Sequence, residues 1–173
     1  MTLPILAAGH KVLSSEWDTI LSFAAPLIIQ KPSDESLSST TVLQDDDHLT
    51  LTVLANASYL MQAQLLYHGG TVGGLKLGWS GPSGATLLWT TGGAALGRGA
   101  NAANTYFGGN GLGGSDILGT DGTGGIDMFA TPHGTLVTSS TPGALTLRWA
   151  QGTSDSATTT VKAGSVLMLQ RIS

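Results

Sequence analysis

The chain has 173 residues, which suits one domain with appendages, and its 41% hydrophobic content is ample for a core. A net charge of -4 and a charged fraction of 10% leave no basic stripe for DNA or RNA, so we expect no nucleic-acid binding. Cysteine is absent, which excludes disulfides and thiolate metal sites, and 25 glycines with few helix-favouring residues predict an all-β protein rich in turns.

The amino-terminal residues predict an arm followed by one short helix. Residues 1–13 show no periodicity and lack the basic start and long apolar stretch of a secretion signal, so we expect a soluble chain with no membrane segment. Ser15 and Asp18 approximate a capping box, and Pro26 ends the helical pattern. So short a helix is marginal in isolation and has to dock on something.

From Leu27 onward the pattern is that of short strands bounded by turn residues. In residues 58–68, for example, Tyr59, Met61 and Leu65 share one parity and therefore face the same side of a sheet. No fixed-period repeat is visible, and the strand count, near ten, favours an antiparallel two-sheet jelly roll, with an incomplete barrel as the alternative. The predicted strands are 27–31, 40–43, 49–55, 58–68, 75–80, 85–91, 126–130, 135–139, 144–150, 157–161 and 166–172.

Residues 92–125 form a separate stretch rich in Gly, Ala, Asn, Thr and Ser. A segment with so few apolar side chains cannot bury enough surface to offset the entropy lost when it becomes ordered. We therefore expect a long surface loop at one end of the sandwich.

Two motifs in the chain have the residue types of a ligand site. Gly109, Gly111 and Gly114 have the spacing of a dinucleotide fingerprint, but no helix follows them, which favours a flexible loop over a cofactor site. Residues 45–48, Asp-Asp-Asp-His, could offer ligands to Ca²⁺ or, less suitably, Zn²⁺. Consecutive strand residues point to opposite faces, so an acidic turn before Leu49 is the favoured interpretation, and we expect no metal or other cofactor.

Candidate hydrolytic groups are similarly incomplete. Residues 68–70, His-Gly-Gly, and residues 78–81, Gly-Trp-Ser-Gly, approach an esterase oxyanion loop and nucleophile elbow, yet Pro82 occupies the second glycine position and no helix follows. Asp116, Asp121 and Asp127 could pair as glycosidase carboxylates, but each also has an ordinary role beside a glycine-rich turn. We therefore expect no enzymatic activity. Of the strand tryptophans, Trp79, Trp89 and Trp149, we expect two in the core, and an exposed one could stack on a sugar.

Two segments carry a resemblance to a known family. Residues 145–155 followed by 158–165, and residues 31–49 upstream, resemble virion proteins of tailed actinobacteriophages. In those proteins the segments belong to a jelly roll that is similar to tumour necrosis factor and often trimeric. The resemblance brackets about four-fifths of the chain.

The resemblance implies a structural virion protein on the virion surface, assembled in the host bacterial cytoplasm. On this hypothesis residues 1–30 anchor the protein to the particle and residues 31–173 form a homotrimeric jelly-roll domain with the glycine-rich loop at 92–125. The first placement is a decoration protein bound to the major capsid protein, and the alternative is a minor tail or fibre protein bound to tail proteins or host glycan. A glycan-active enzyme is a third class.

The anchoring residues that we expect are apolar side chains of the predicted helix. They are Trp17, Ile20, Leu21 and Phe23. The competing interpretation is that this helix packs only on its own jelly roll.

Overall fold

The computed structural model describes residues 14–93, 109–120 and 125–173. In this part of the chain one short helix precedes two antiparallel sheets. The predicted all-β sandwich with a short amino-terminal helix is therefore confirmed. The elements are α1 (Ser14–Ala24), β1 (Leu27–Gln30), β2 (Glu35–Leu37), β3 (Gln44–Val53), β4 (Ser58–His68), β5 (Leu75–Ser80), β6 (Thr86–Gly92), β7 (Asn110–Gly111), β8 (Ser115–Leu118), β9 (Met128–Val137), β10 (Gly143–Ala150), β11 (Thr159–Val161) and β12 (Val166–Arg171).

The order of the strands is that of a jelly roll. The large sheet runs β1-β12-β4-β9-β6-β7, and β11 pairs with β4 and with β2. The small sheet runs β3-β10-β5-β8. Early strands pair with late ones in both sheets, so the chain folds back on itself as a long antiparallel ribbon.

The core lies between the two sheets and contains the largest side chains. Tyr59 and Tyr67 of β4 are at most 2% exposed, as their shared parity predicts. Trp79, Trp89 and Trp149 are also buried, so the expectation that one of the three would be exposed is wrong. The rings of Trp79 and Trp89 meet edge to face with centroids 6.4 Å apart. Because the chain has few aromatic residues, the sandwich uses all three indoles to fill its interior.

Two strand predictions are wrong because strand pairing, and not local sequence, decides where these strands lie. Residues 40–43 form no strand, whereas β2 forms earlier because β11 supplies its pairing partner. Residues 131–134, Thr-Pro-His-Gly, which look like a turn, continue through β9. Pro132 is tolerated because the β4–β9 ladder is interrupted between the Gln62–His133 and Leu65–Ala130 pairs, so its missing N–H leaves no gap there.

The glycine-rich segment is partly incorporated into the sheets. β7 pairs with β6 at the edge of the large sheet, and β8 pairs with β5 at the edge of the small one. Leu118 is fully buried, and the Tyr67 hydroxyl donates a hydrogen bond of 2.8 Å to the carbonyl oxygen of Gly119. The expectation of one continuous surface loop is therefore wrong for residues 110–118, while residues 94–108 and 121–124 lie outside the described part.

We predict that Gly134→Ala weakens the fold by about 1–3 kcal/mol, because a β-carbon at this position would lie 2.8 Å from both the Cα and the Cβ of Trp89. Gly111→Ala is the control, since its nearest neighbour, the carbonyl oxygen of Leu87, would be 4.0 Å away. Urea unfolding measures both variants. Equal stability of the two variants would contradict close packing at Gly134.

Candidate assembly surfaces and a buried lysine cluster

The outward side chains of β12, β4, β9 and β6 form one surface, which we call the outer sheet face. Strand pairing places Leu60 beside Thr135, which in turn faces Leu88 on β6. Leu60, Leu88 and Phe129 are 47%, 67% and 55% exposed. Residues 58–66, 86–92, 128–137 and 166–170 contain no Asp, Glu, Lys or Arg. The face is therefore apolar and uncharged, with amides and hydroxyls between its apolar side chains.

A groove of about 400 Å³ crosses this face. It opens where the β4–β9 ladder is interrupted beside Pro132, and it has enough room to receive side chains from another surface. Its lining residues are Gln62, Ala63, Gln64, Thr131, Pro132, His133, Val166 and Met168.

The end of helix α1 contributes to a second apolar surface, which we call the foot. Trp17 and Leu21 are 52% and 54% exposed, and Ile20 is partly buried. The helix contacts β12, and a groove of about 280 Å³ lies between its last turn and the sandwich. Leu27 and Leu54, both exposed, also line this groove.

The foot bears directly on the predicted anchoring residues. Three of them, Trp17, Ile20 and Leu21, lie at or near the foot, whereas the side chain of Phe23 is outside the described part of the structure. The helix packs on the sandwich through its carboxyl end, while Trp17 and Leu21 remain available to a partner. The sequence did not indicate that Leu27 and Leu54 would join them, because both lie on other elements.

The aspartate run is not the acidic turn that its composition suggested. β3 begins at Gln44, but its pairing with β10 is interrupted between the Asp45–Arg148 and Thr50–Thr146 pairs. Residues 46–49 therefore form a bulge, in which Asp46 and Leu49 are both buried while Asp45 and Asp47 are exposed. Asp45 forms an ion pair with Arg148 of β10, with a nitrogen–oxygen distance of 2.8 Å. The polar residues of this run therefore have separate environments.

Asp46 belongs to a buried group that we call the lysine cluster, formed by Lys31, Glu35, Asp46 and His48. The Lys31 side chain is completely buried, and its ammonium lies 2.6 Å from Glu35 Oε2, 2.8 Å from Asp46 Oδ2 and 3.3 Å from His48 Nδ1. The three acceptors have the spacing of a metal site. The Lys31 ammonium contacts all three acceptors and supplies the positive charge that a bound cation would otherwise supply.

The two carboxylate oxygens of Asp46 have different partners. Oδ2 accepts hydrogen bonds from Lys31 and from Trp149 Nε1, the latter at 3.2 Å. Oδ1 accepts from the backbone N–H groups of His48 and Leu49, at 2.9 and 2.8 Å. Sequence reasoning missed Lys31 and Glu35 as members of this site; their only local signal was an i,i+4 charge pair beside Pro32.

The motifs that suggested a cofactor site or an esterase are parts of sheets. Residues 109–114 contribute β7 and the turn that leads to β8, with no helix after them. Trp79 and Ser80 end β5, and the Trp79 side chain points into the core. Neither the strand–helix geometry of a dinucleotide site nor that of a nucleophile elbow forms at these positions.

The candidate glycosidase carboxylates lie on different elements. Asp116 of β8 accepts a hydrogen bond of 2.6 Å from the Asn110 side chain. Asp127 lies beside the large sheet, 3.4 Å from His68 Nδ1, and Asp121 is outside the described residues. The two described carboxylates therefore have separate local partners.

The comparisons with known proteins add little to this geometry. No protein-family model and no curated protein matches the chain. The chain is similar to the structure of infectious bursal disease virus Gx strain, with 11% sequence identity and a TM-score of 0.23. The match covers 85% of this chain and 40% of the viral chain. The crystal structure of the VP2 subviral particle of the same virus is 15% identical with a TM-score of 0.24, and the match covers 85% of this chain and 39% of the VP2 chain. This chain thus spans less than half of those chains, and similarity this weak carries no argument about function.

Within residues 14–93, 109–120 and 125–173, no helix has the length and apolar character needed to cross a bilayer.

We predict that Asp34→Asn reduces the loss of stability in acid. The backbone N–H of Ala163 and the side chain of Lys162 hold the pKa of Asp34 below its ordinary value of 3.8. Because the pKa of Asp34 is lower in the folded state, its carboxylate stabilises the fold fully above about pH 3.8. This stabilisation is lost as the pH falls through the folded-state pKa. Urea unfolding at about pH 5 and about pH 3 measures it. An unchanged difference between the two pH values in Asp34→Asn would contradict the prediction.

Proposed function

We propose that this protein is a structural protein of a bacteriophage virion, a trimeric decoration protein that binds the outer capsid surface and stabilises the head. The observation that carries the proposal is the presence of two apolar surfaces on different elements, the uncharged outer sheet face and the foot, whose groove also includes Arg171. A protein that assembles with itself and with a lattice requires two such surfaces. We assign it no catalytic role.

The outer sheet face suits association of copies of this chain. Apolar side chains alternate there with amides and hydroxyls, so packing can exclude water without burying an unpaired charge. The interruption beside Pro132 provides the recess into which a neighbour's side chains can fit. Closed cyclic symmetry leaves no copy with an unsatisfied face, which supports a trimer over an open chain of subunits.

The foot suits attachment to the particle. Leu21 lines a groove that the sandwich also lines, and Trp17, one helical turn earlier, is 52% exposed. Aromatic residues commonly dominate binding energy. Three feet on one trimer would bind a lattice with high effective concentration, so modest contacts from each copy give stable attachment.

We predict that the wild-type protein is a trimer and that Leu60→Glu converts it to monomers, because each contact would then bury an unpaired carboxylate at a cost of about 2 kcal/mol or more. Val72→Glu is the matched control, since Val72 is 54% exposed and lies outside both surfaces. Light scattering measures the mass, with 17.6 kDa expected for one chain. A monomeric wild-type protein, or a Leu60→Glu variant that stays trimeric, would refute this assignment.

We predict that the double variant Trp17→Ser, Leu21→Ser stays trimeric but binds undecorated capsids at least about tenfold more weakly, because the foot loses the two exposed apolar side chains of its helix. Val42→Ser, at a 72% exposed position away from the foot, is the control. Cosedimentation with capsids measures binding. Undiminished binding by the double variant contradicts anchoring through the foot.

Incubation of the wild-type protein with host cell-wall polysaccharide separates the remaining classes. No interaction is expected for a decoration protein. Retention without cleavage favours the alternative of a minor tail or fibre protein that binds host glycan, and release of reducing ends favours a glycan-active enzyme.

A further inference from the structure

We propose that Lys31 and Asp46 condense into an intramolecular isopeptide bond, with Glu35 as the catalytic proton acceptor. The inference goes beyond the proposed virion role and does not depend on it. It rests on the contacts, burial and orientation of the lysine cluster.

The amine is in position to act as a nucleophile. The Lys31 side chain and the Asp46 carboxylate are both completely buried, and the ammonium nitrogen lies 2.8 Å from Asp46 Oδ2. Glu35 Oε2 lies 2.6 Å from the same nitrogen and is 16% exposed. A base in direct contact with the ammonium can remove the proton that blocks its lone pair.

The carboxyl of Asp46 is held as an acceptor of that attack. Oδ1 accepts hydrogen bonds from the backbone N–H groups of His48 and Leu49, the arrangement that stabilises negative charge on the oxygen of a tetrahedral intermediate. Oδ2, the oxygen that leaves, faces Lys31 and the indole N–H of Trp149. The two oxygens of one carboxyl group therefore have the different partners that the reaction requires.

The reaction balances with the groups already present. Glu35 takes one proton from the Lys31 ammonium and passes it to Asp46 Oδ2, which makes the Asp46 carboxyl neutral. The Nζ lone pair attacks Asp46 Cγ and forms the C–N bond. The second proton that nitrogen gives up goes to Oδ2, the Cγ–Oδ2 bond breaks, and one water leaves. One ammonium and one carboxylate become one secondary amide and one water, and Glu35 returns to its starting state.

The buried environment favours the amide over the ion pair. Holding the two groups in contact replaces a bimolecular condensation with an intramolecular one. The product removes two buried charges, whose desolvation the folded protein otherwise has to offset.

The bond would join the two sheets at the base of the anchor. Lys31 directly follows β1 of the large sheet, and its backbone pairs with Ser165 and Gly164 near the start of β12. Asp46 belongs to β3 of the small sheet. A force applied through the amino-terminal segment would then meet a covalent connection between the sheets before it reached the core.

The test is the intact mass of the full-length folded protein, measured after denaturation, both directly after purification and after prolonged incubation. The expected mass is lower than that of the sequence by one water. Fragmentation of a digest should show a branched peptide joining residue 31 to residue 46. An unmodified mass after incubation would overturn the proposal and leave the cluster as a buried ion pair.

Variants separate this bond from other losses of water. Lys31→Arg and Glu35→Gln should keep the full mass of their sequences, whereas Lys162→Arg, which alters a partly exposed lysine paired with Asp34, should lose water as the wild type does. Succinimide formation at Asp121-Gly122 would also remove one water, but it leaves no branched peptide and survives Lys31→Arg. Water loss that persists in Lys31→Arg therefore counts against the isopeptide bond.

Discussion

The alternation of side chains along paired strands is the constraint on which this structure depends. In β4 it places Tyr59 and Tyr67 in the core and Leu60 on the outer sheet face. In β3 a bulge at residues 46–49 interrupts this alternation and buries Asp46 as well as Leu49. The core and the outer sheet face therefore follow from alternation, whereas the lysine cluster follows from the bulge. A shift of one residue in the register of a strand would exchange its buried and exposed positions.

The lysine cluster shows how this geometry can bring reactive groups together. A carboxylate carried inward by β3 has to be compensated, and Lys31, which enters from the end of β1, provides the opposite charge. Glu35 and the amides of residues 48 and 49 complete its surroundings. The same contacts that satisfy a buried ion pair are those that an amide-forming site needs, which is why the cluster is both part of the fold and a candidate for chemistry.

The two assembly surfaces differ in origin as well as in position. The outer sheet face follows from four strands that have no charged outward residues, so it is a property of the sheet. The foot combines the end of the helix and the neighbouring Leu27 with residues that are distant in sequence, including Leu54 and Leu169. Lys31 directly follows β1 within the sandwich, so the proposed attachment, association and internal cross-linking would involve separate residues.

Local pattern alone was enough to predict the all-β class, the helix stopped by Pro26, and the bounds of β4 and β5, because periodicity and turn residues act over a few neighbouring positions. It was also enough to identify Trp17, Ile20 and Leu21 as apolar helix residues, though not the groove beside them. It failed for β2, β8 and the continuity of β9, and it placed Asp46 in a turn. Those features depend on partners that are not neighbours in sequence: β2 pairs with β11, β8 pairs with β5, and Asp46 forms an ion pair with Lys31. Strand pairing and charge compensation of this kind exist only in the folded chain, so local pattern does not predict them.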